Sequence, residues 1–380
     1  MGYNVDLTSW NFFKEVLNDM KRVFITALCA LALAAALIQA PASAAPAEKV
    51  ERKDLLARAQ DMFDHRFTPV IKDVKIGAAV AGKPIDVTVT VAYDDKRAKD
   101  KVTDVRVYFS TDNGKKWMRP AKLKKSGSVW KGQIPKQKKG KLLAYVWVLD
   151  SRGNVAVELP CKVATWPPAS DGCMVKAAAD PDPSDDKTSV FSNDLDIWSI
   201  QVGMDDTYLY IQQTVEGSIN KGTMNPPKIN SYLALLLAPS LAKEIDDLTT
   251  LMNMDPKTAE KKFKGKENMV KVMFWAPQAK SFFNVKQDCF VPGQPKPGAE
   301  QPMPEMKIDV IACKNKGPDL FFRYKKSDMD KSMNKEVQVL GGLIMQATST
   351  DPKTFMQGLN LGDITNFTRV TWNPRTITVK

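Results

Sequence analysis

Apolar and polar residues alternate along the chain between residues 70 and 160, in the period-two pattern of strands whose two faces differ. Valine alternates with threonine over residues 87–91, and apolar side chains alternate with polar ones over residues 105–110. An Asn-Gly pair at 113–114, which is a strong hairpin signal, follows the second stretch. Further strands are predicted at 128–134, 142–149 and 155–159. Short strands separated by frequent turns predict a β-sandwich.

The rest of the chain also reads mainly as strands. They are predicted at 197–202, 207–215, 232–237, 270–275, 307–312, 319–324 and 368–372. Between residues 240 and 264 the apolar residues recur at helical spacing, which predicts one or two short helices as an insertion. The expected fold is therefore all-β, with two tandem β-sandwiches and a short N-terminal helix.

The first 44 residues predict a leader followed by a Sec signal peptide. A Met-Lys-Arg start at 20–22 precedes an almost unbroken apolar run at 23–38, and Ala-Ser-Ala follows at 42–44. The run is short for a permanent span, which needs about 20 apolar residues, although an uncleaved anchor is the alternative. We expect translation to start at Met20. The mature protein is then extracytoplasmic, in the periplasm, on the surface or secreted from a bacterium, with no transmembrane span.

The expected order of segments follows from these patterns. A helical linker at 45–66 comes after the leader and signal at 1–44. The first sandwich then occupies 67–162, a turn-rich linker 163–176, and the second sandwich 177–380.

Four cysteines follow the predicted signal: Cys161, Cys173, Cys289 and Cys313. An even number in an oxidising compartment indicates two disulfides. Of the three connectivities, pairing of nearest neighbours is favoured, which gives Cys161–Cys173 and Cys289–Cys313. The first of these bonds would stiffen the joint between the two domains. Buried free thiols are the alternative. A zinc site is disfavoured because there is no closely spaced cysteine pair.

His65 is the only histidine, and it precedes the first strand, where we expect a solvated linker side chain. Its isolation disfavours catalytic triads and most zinc mechanisms, which need a positioned imidazole. The sequence also has no nucleophile elbow, phosphate-binding loop or metalloprotease signature. The protein is therefore expected not to be an enzyme.

The positive charge is concentrated in one segment. Residues 95–141 hold 16 Lys or Arg and 4 Asp or Glu, a net charge of +12 that equals the net charge of the whole chain. A basic domain outside the cytoplasm attracts anionic envelope surfaces such as lipopolysaccharide or acidic glycans, and nucleic acid is not expected. A solubilising lysine face is the alternative.

Two stretches of the first domain, YFSTDNGKKW (108–117) and YVWVLDSRGN (145–154), resemble bacterial immunoglobulin-like or fibronectin type III-like modules. In the second domain, Asp-Leu-Asp-Ile at 194–197 leads into VGMDDTYLYI (202–211), and NSYLALLL follows at 230–237. These residues resemble the start of family-9-type carbohydrate-binding modules and their DOMON-like relatives. The resemblance implies a jelly-roll-like sandwich that binds a ligand without catalysis.

The same resemblance implies a structural calcium near the first strands of the second domain. Calcium takes six to eight oxygen ligands, which a loop rich in carboxylates can supply. A solvated acidic turn is the alternative. The candidate ligands are Asp180, Asp182, Asp185, Asp186, Asn193, Asp194 and Asp196.

The resemblance further implies a cleft in which sugar rings stack on aromatic side chains. Tyr208 and Tyr210 lie on one face of their strand and Leu209 and Ile211 on the other, so one of the two faces is expected to be core. Packing is the alternative role for each aromatic. The candidates are Trp198, Tyr208, Tyr210, Tyr232, Trp275 and Trp372.

The function expected from the sequence is non-catalytic binding of a glycan or another cell-envelope component. One alternative is a haem b-binding, DOMON-like electron-transfer protein, in which methionine and lysine would supply the axial ligands. A structural or assembly role in the cell envelope is the other.

Overall fold

The computed structural model shows an all-β protein, as the alternating sequence pattern predicts. The predicted leader and signal peptide at 1–44 lie outside the described residues. Within the described residues, no helix combines the length and the apolar character needed to cross a membrane. The described residues are 60–61, 63–168, 172–179, 193–224, 227–244, 258, 261–262, 266, 269–279, 286–290, 311–347 and 359–380.

The first part of the chain forms eight strands. They are β1 (Val70–Ile76), β2 (Ile85–Ala92), β3 (Val102–Ser110), β4 (Ala121–Lys122), β5 (Lys124–Ser126), β6 (Val129–Ile134), β7 (Gly140–Asp150) and β8 (Val155–Leu159). The turn after β3 contains the predicted Asn-Gly pair, with φ of 61° at Asn113 and 89° at Gly114. Asparagine and glycine tolerate this left-handed backbone best, which is why that pair marks the turn.

The second part is also built from strands. They are β9 (Val175–Ala179), β10 (Ile197–Met204), β11 (Tyr208–Val215), β12 (Gly222–Met224), β13 (Pro227–Leu237), β14 (Val270–Trp275), β15 (Cys289–Phe290), β16 (Ile311–Lys316), β17 (Asp319–Lys325), β18 (Glu336–Ala347), β19 (Leu359–Ile364), β20 (Phe367–Trp372) and β21 (Arg375–Val379). A helix, α1 (Pro239–Glu244), begins where helical spacing predicts an insertion, and the described residues 258, 261 and 262 of that insertion are also helical. Residues 60, 61, 63 and 64 of the predicted N-terminal helix are also helical.

A single 12-stranded sheet runs through both parts of the molecule. A 4-stranded sheet (β1-β2-β6-β5) faces one end of it, and a 5-stranded sheet (β16-β17-β11-β10-β9) faces the other. Each small sheet encloses its own apolar core against the long sheet. The two sandwiches therefore share one sheet.

Strand β7 lies where the two cores meet, and both of its faces are buried. The side chain of Val146 packs in the first core, whereas that of its neighbour Tyr145 packs in the second. In β8, Val157 packs in the second core and Ala156 in the first. This double burial explains why both strands read as nearly continuous apolar runs.

The C-terminal strands return to the first sandwich. β20 pairs in parallel with β8, and β21 pairs antiparallel with the start of β7. Ile377 and Val379 of β21 are buried in the first core. Residues 375–379, which the sequence pattern groups with the second domain, thus complete the sheet of the first.

Buried charged groups reinforce this closure. The carboxylate of Glu158, 1% exposed, accepts hydrogen bonds from Arg375 at 2.6 and 3.0 Å and from Asn373 at 2.9 Å. Contact with Glu158 raises the pKa of the Arg375 guanidinium. These bonds satisfy a carboxylate that would otherwise be very costly to bury.

His65 is not the solvated linker side chain that its position suggested. Its Nδ1 lies 2.7 Å from a carboxylate oxygen of Asp100, and its backbone carbonyl accepts a bond from Asn154 at 2.8 Å. The imidazole therefore anchors the N-terminal helical turn to the first sandwich.

The cysteines lie at disulfide distance in the nearest-neighbour pairing. The Cα atoms of Cys161 and Cys173 are 5.3 Å apart, and those of Cys289 and Cys313 are 5.7 Å apart. The second bond joins β15 of the long sheet to β16 at the edge of the 5-stranded sheet, so it links the two layers of the second sandwich.

Candidate functional site

The hairpin of β10 and β11 carries the most distinctive sequence motif. Its turn is held by Asp205, whose Oδ1 accepts the backbone N–H groups of Thr207 and Tyr208 at 2.6 Å each. Tyr210 donates its hydroxyl to Oδ2 of the same carboxylate at 2.5 Å. Burial, followed by this bond to Asp205, raises the pKa of Tyr210. The acidic turn of the motif therefore positions the two tyrosines.

The two faces of β11 have different roles. Leu209 and Ile211 are each 1% exposed and pack in the second core, so theirs is the core face that the alternation predicted. Tyr208 and Tyr210 point to the opposite side of the 5-stranded sheet, away from the long sheet. That side is called the outer face below.

An arginine lies between two aromatic rings at one end of the outer face. The guanidinium carbon of Arg323 is 4.8 Å from the ring centroid of Trp166 and 4.7 Å from that of Tyr208. Trp166 also contacts Tyr210, with 5.9 Å between ring centroids. Trp166, Tyr208, Tyr210 and Arg323 are called the aromatic–arginine cluster below.

The loop closed by the first disulfide holds Trp166 in this position. The backbone N–H of Val163 donates to the carbonyl of Met204 at 2.9 Å, which ties the loop to β10. Beneath the loop lies Gly203, where an added Cβ would come within 2.5 Å of the Met174 sulfur and 2.7 Å of Val163 Cγ2. Only glycine lets the loop approach the sheet this closely.

The same loop contacts the first sandwich. The indole N–H of Trp117 donates to the carbonyl of Gly172 at 2.6 Å, and the sulfurs of both loop cysteines lie over Gly114. The loop therefore touches both sandwiches, as expected of a disulfide at the joint between them.

Trp198 lies at the other end of the outer face. It is 60% exposed and sits at a bulge in β10, between the cross-strand pairs Ile197–Val215 and Ser199–Thr214. Cross-strand partners share a face, so the polar pairs Ser199–Thr214 and Gln201–Gln212 continue from Trp198 along the outer face. This end combines an exposed apolar ring with hydroxyl and amide groups.

Two other candidate aromatics are buried in the core and present no ring to a ligand. Tyr232 is 0% exposed, and its hydroxyl donates to the carbonyl of Asp194 at 2.8 Å. Burial raises the pKa of Tyr232 to about 12. Trp275, 7% exposed, packs edge-on against it with 5.5 Å between ring centroids. Trp372 is half-buried on β20 and packs against the same core.

Four of the predicted calcium ligands, Asp180, Asp182, Asp185 and Asp186, lie outside the described residues. Asp194 accepts bonds from the Ser218 N–H at 2.7 Å and from the Asn220 side chain. The backbone carbonyl of Asp196 accepts the N–H of Glu216 at 2.9 Å. Among the described residues, no three His, Cys, Asp or Glu side chains are grouped as metal ligands. The calcium site stays a prediction.

The methionines that the structure places in the second core behave as packing residues. Met204, Met273 and Met333 are at most 2% exposed and lie among aliphatic and aromatic side chains. The haem alternative stays a prediction.

The basic segment of the first sandwich forms an exposed lysine surface. On the 4-stranded sheet, Lys75, Lys131 and Lys124 lie in one cross-strand row with Thr88. Most basic residues of the segment have no acidic group within 4.0 Å among the described residues. The basic residues without such a partner are Lys96, Lys101, Lys115, Lys116, Arg119, Lys124, Lys125, Lys131, Lys136, Lys138, Lys139 and Lys141.

Trp166, Arg323 and Lys314 were not among the residues singled out from the sequence. Trp166 lies in the predicted linker, and the other two lie in strands whose partners the sequence does not specify. One feature of the sequence could have pointed to Trp166: it lies between Cys161 and Cys173, in a segment too short to be an independent domain.

No protein-family model and no curated protein matches this chain. Among solved structures, a crystal structure of the I9-I11 tandem from titin matches with a TM-score of 0.12 and 7% identity, covering 80% of this chain and 100% of that one. A TM-score this low carries no argument. The sandwich assignment rests on the strands and sheets described above.

Proposed function

We propose that this protein is an exported, non-catalytic binding protein that holds a glycan, or another component of the cell envelope, on the outer face. The β10–β11 hairpin that resembles family-9-type carbohydrate-binding modules supplies this face. The first sandwich serves as an accessory, immunoglobulin-like module whose lysine surface adds attraction to anionic surroundings.

The exposure of Trp198 is the observation that carries this proposal. Exposed large apolar side chains are few among the described residues, and Trp198 is the most exposed, ahead of Met118 at 45% and Val80 at 42%. An indole ring suits the apolar face of a pyranose, and the neighbouring amide and hydroxyl groups can bond its hydroxyls.

A glycan array tests the binding site directly. We expect the mature protein to retain a subset of glycans, Trp198→Ala to lose them, and Met118→Ala to keep them. The Met118 variant removes a similarly exposed apolar side chain from the first sandwich. Failure of the unaltered protein to retain any glycan would leave a structural or assembly role as the leading account.

The lysine surface is tested separately with lipid vesicles. We expect sedimentation with vesicles containing anionic lipid but not with zwitterionic ones, and release as salt shortens the screening length. Lys124→Glu combined with Lys131→Glu should weaken sedimentation. The matched control, Lys221→Glu with Lys228→Glu, changes the same charge on exposed lysines of the second sandwich. Equal weakening by both pairs would contradict a role for the row on the 4-stranded sheet.

A further inference from the structure

We infer that the ligand of the outer face is an acidic glycan, whose carboxylate is bound by Arg323. This inference rests on the proposed function and narrows the substrate class of that same site. Three observations carry it: the way Arg323 is held, the charges that surround it, and the loop that fixes its aromatic partners.

Arg323 is oriented by rings and not by an acid. Trp166 and Tyr208 contact its guanidinium at 4.8 and 4.7 Å from their ring centroids. A cation over aromatic rings is attracted by them without an acidic partner, so the N–H groups of the guanidinium are not committed to a carboxylate. Across the described residues, no carboxylate lies within ion-pair distance of this side chain, which is only partly buried.

A guanidinium held in this way is suited to a planar oxyanion. Its N–H groups match the two oxygens of a carboxylate in a bidentate arrangement, which is stronger and more directional than a bond to a neutral hydroxyl. A neutral sugar would use this group poorly. The adjoining ring of Tyr208 can contact the apolar face of the sugar that bears the carboxylate.

Three lysines also lie on the outer face. The ammonium of Lys314 lies 5.8 Å from the Trp166 ring centroid. Lys325 is the cross-strand partner of Tyr208, and Lys176 is the partner of Gln201. Such a group of cations raises the local concentration of anionic ligands.

The acids on this face are already occupied by other partners. Asp205 accepts the Tyr210 hydroxyl and two backbone N–H groups of its turn. Asp319 accepts the amide of Gln212 at 2.9 Å and the hydroxyl of Thr214 at 2.7 Å. Asp206 pairs with Lys162 at 2.6 Å. None of the three neutralises Arg323.

The disulfide loop restrains Trp166. Because the loop between Cys161 and Cys173 is covalently closed and its Val163 packs over Gly203, the positions open to Trp166 are restricted before any ligand binds. Fixing a long side chain in advance lowers the entropic cost of binding. An acidic polymer also suits the whole molecule, since the lysine surface of the first sandwich attracts the same charge.

The test compares glycans that differ only in charge. The full-length mature protein is applied to an array on which each uronic-acid glycan is present as the free carboxylate and as its methyl ester, beside neutral glycans. We expect at least about tenfold tighter binding of the free acids, as one bidentate charged contact supplies. Arg323→Gln should abolish this preference, and Arg323→Lys should retain part of it. Lys228→Gln, a charge change on an exposed lysine outside the outer face and the lysine surface, should leave it intact.

Each outcome decides between the two proposals. Equal binding of acids and esters by the unaltered protein, with loss of both in Trp198→Ala, would overturn the inference and leave glycan binding standing. Absence of binding to every glycan would overturn both. The comparison of acid with ester uses the unaltered protein, so it stays decisive even where an Arg323 variant fails to fold. Where Arg323→Gln folds with an unchanged melting temperature and keeps the preference, Arg323 is only a packing residue.

Discussion

At the scale of single residues, Gly203 is a position where the surrounding contacts clearly require glycine. A methyl group there would overlap Met174, which directly follows the disulfide loop, and Val163 within the loop, at 2.5 and 2.7 Å. We expect Gly203→Ala to lower the free energy of unfolding by about 1–3 kcal/mol, because a well-packed contact is forced apart. Urea unfolding followed by tryptophan fluorescence measures this, and proteolysis of the loop should become faster.

Gly77→Ala is the matched control for Gly203→Ala. The added Cβ at Gly77 would meet its nearest neighbour, Asp86 Cβ, at 3.2 Å, which a shift of a few tenths of an ångström relieves. A loss in Gly77→Ala as large as that in Gly203→Ala would show that the loop contact is not the cause.

At the scale of elements, the last strand shows how a short segment can stabilise a distant domain. In β21, Ile377 and Val379 are buried in the first core while Thr376 and Thr378 are exposed. We expect Ile377→Ala to lower the free energy of unfolding by about 2–4 kcal/mol, the usual cost of truncating a buried side chain. Thr378→Ala should change it by less than about 0.5 kcal/mol. Similar effects of the two, measured by urea unfolding, would mean that β21 does not pack as described.

Strands in which apolar and polar residues alternate regularly were predictable from the sequence. Strands that depend on packing against the facing sheet were not. VGMDDTYLYI identified β10, its turn and β11, and it correctly separated the core leucine and isoleucine from the tyrosines. β18 was missed because its centre is Gly341-Gly342, which weakens a strand pattern. The structure supplies the reason, since a Cβ on Gly341 would lie 2.2 Å from the Ile200 side chain of the facing sheet.

The candidate site follows the same division. Tyr208 was recognisable from the motif, because periodicity assigns residues to faces. Trp198 lies outside the motif and was a candidate only as one of the available aromatic residues. Periodicity does not reveal which of two aromatic residues is covered, so Tyr232 and Trp275 were kept as ligand candidates although they lie in the core. Arg323 meets Trp166 across 157 positions of sequence, a contact that only the fold creates.

At the scale of the whole molecule, the shared sheet predicts that the two sandwiches unfold together. The long sheet is continuous from β15 to β4, and β20 and β21 join the strands of the first sandwich. We expect one calorimetric transition with equal calorimetric and van't Hoff enthalpies, because neither sandwich keeps its sheet alone. Two separated transitions, in scans with the disulfides intact, would contradict this coupling.

The ionic contact between the sandwiches makes the molecule sensitive to acid. Partial burial alone would raise the pKa of Asp94, but hydrogen bonds and charges from Arg369 and Lys243 outweigh it, so the pKa of Asp94 is lowered. Arg369 also binds Glu336 of β18, with 2.6 Å between its Nε and Oε1. Asp94, in the loop after β2, is thereby joined to the second sandwich.

The sign of the pH effect follows from this lowered pKa. A carboxylate with a lower pKa in the folded state stabilises the fold above its ordinary value near 3.8, and that stabilisation is lost as the pH falls through the folded-state pKa. Asp150 acts in the opposite direction, since burial raises its pKa and protonation then favours the fold. We expect the urea midpoint to fall between pH 7 and pH values below about 4, and to fall less in Asp94→Asn. In Asp86→Asn, which changes an exposed carboxylate on β2, the urea midpoint should fall as much as in the unaltered protein. An equally large fall of the midpoint in Asp94→Asn would exclude the Asp94 contact as a source of acid sensitivity.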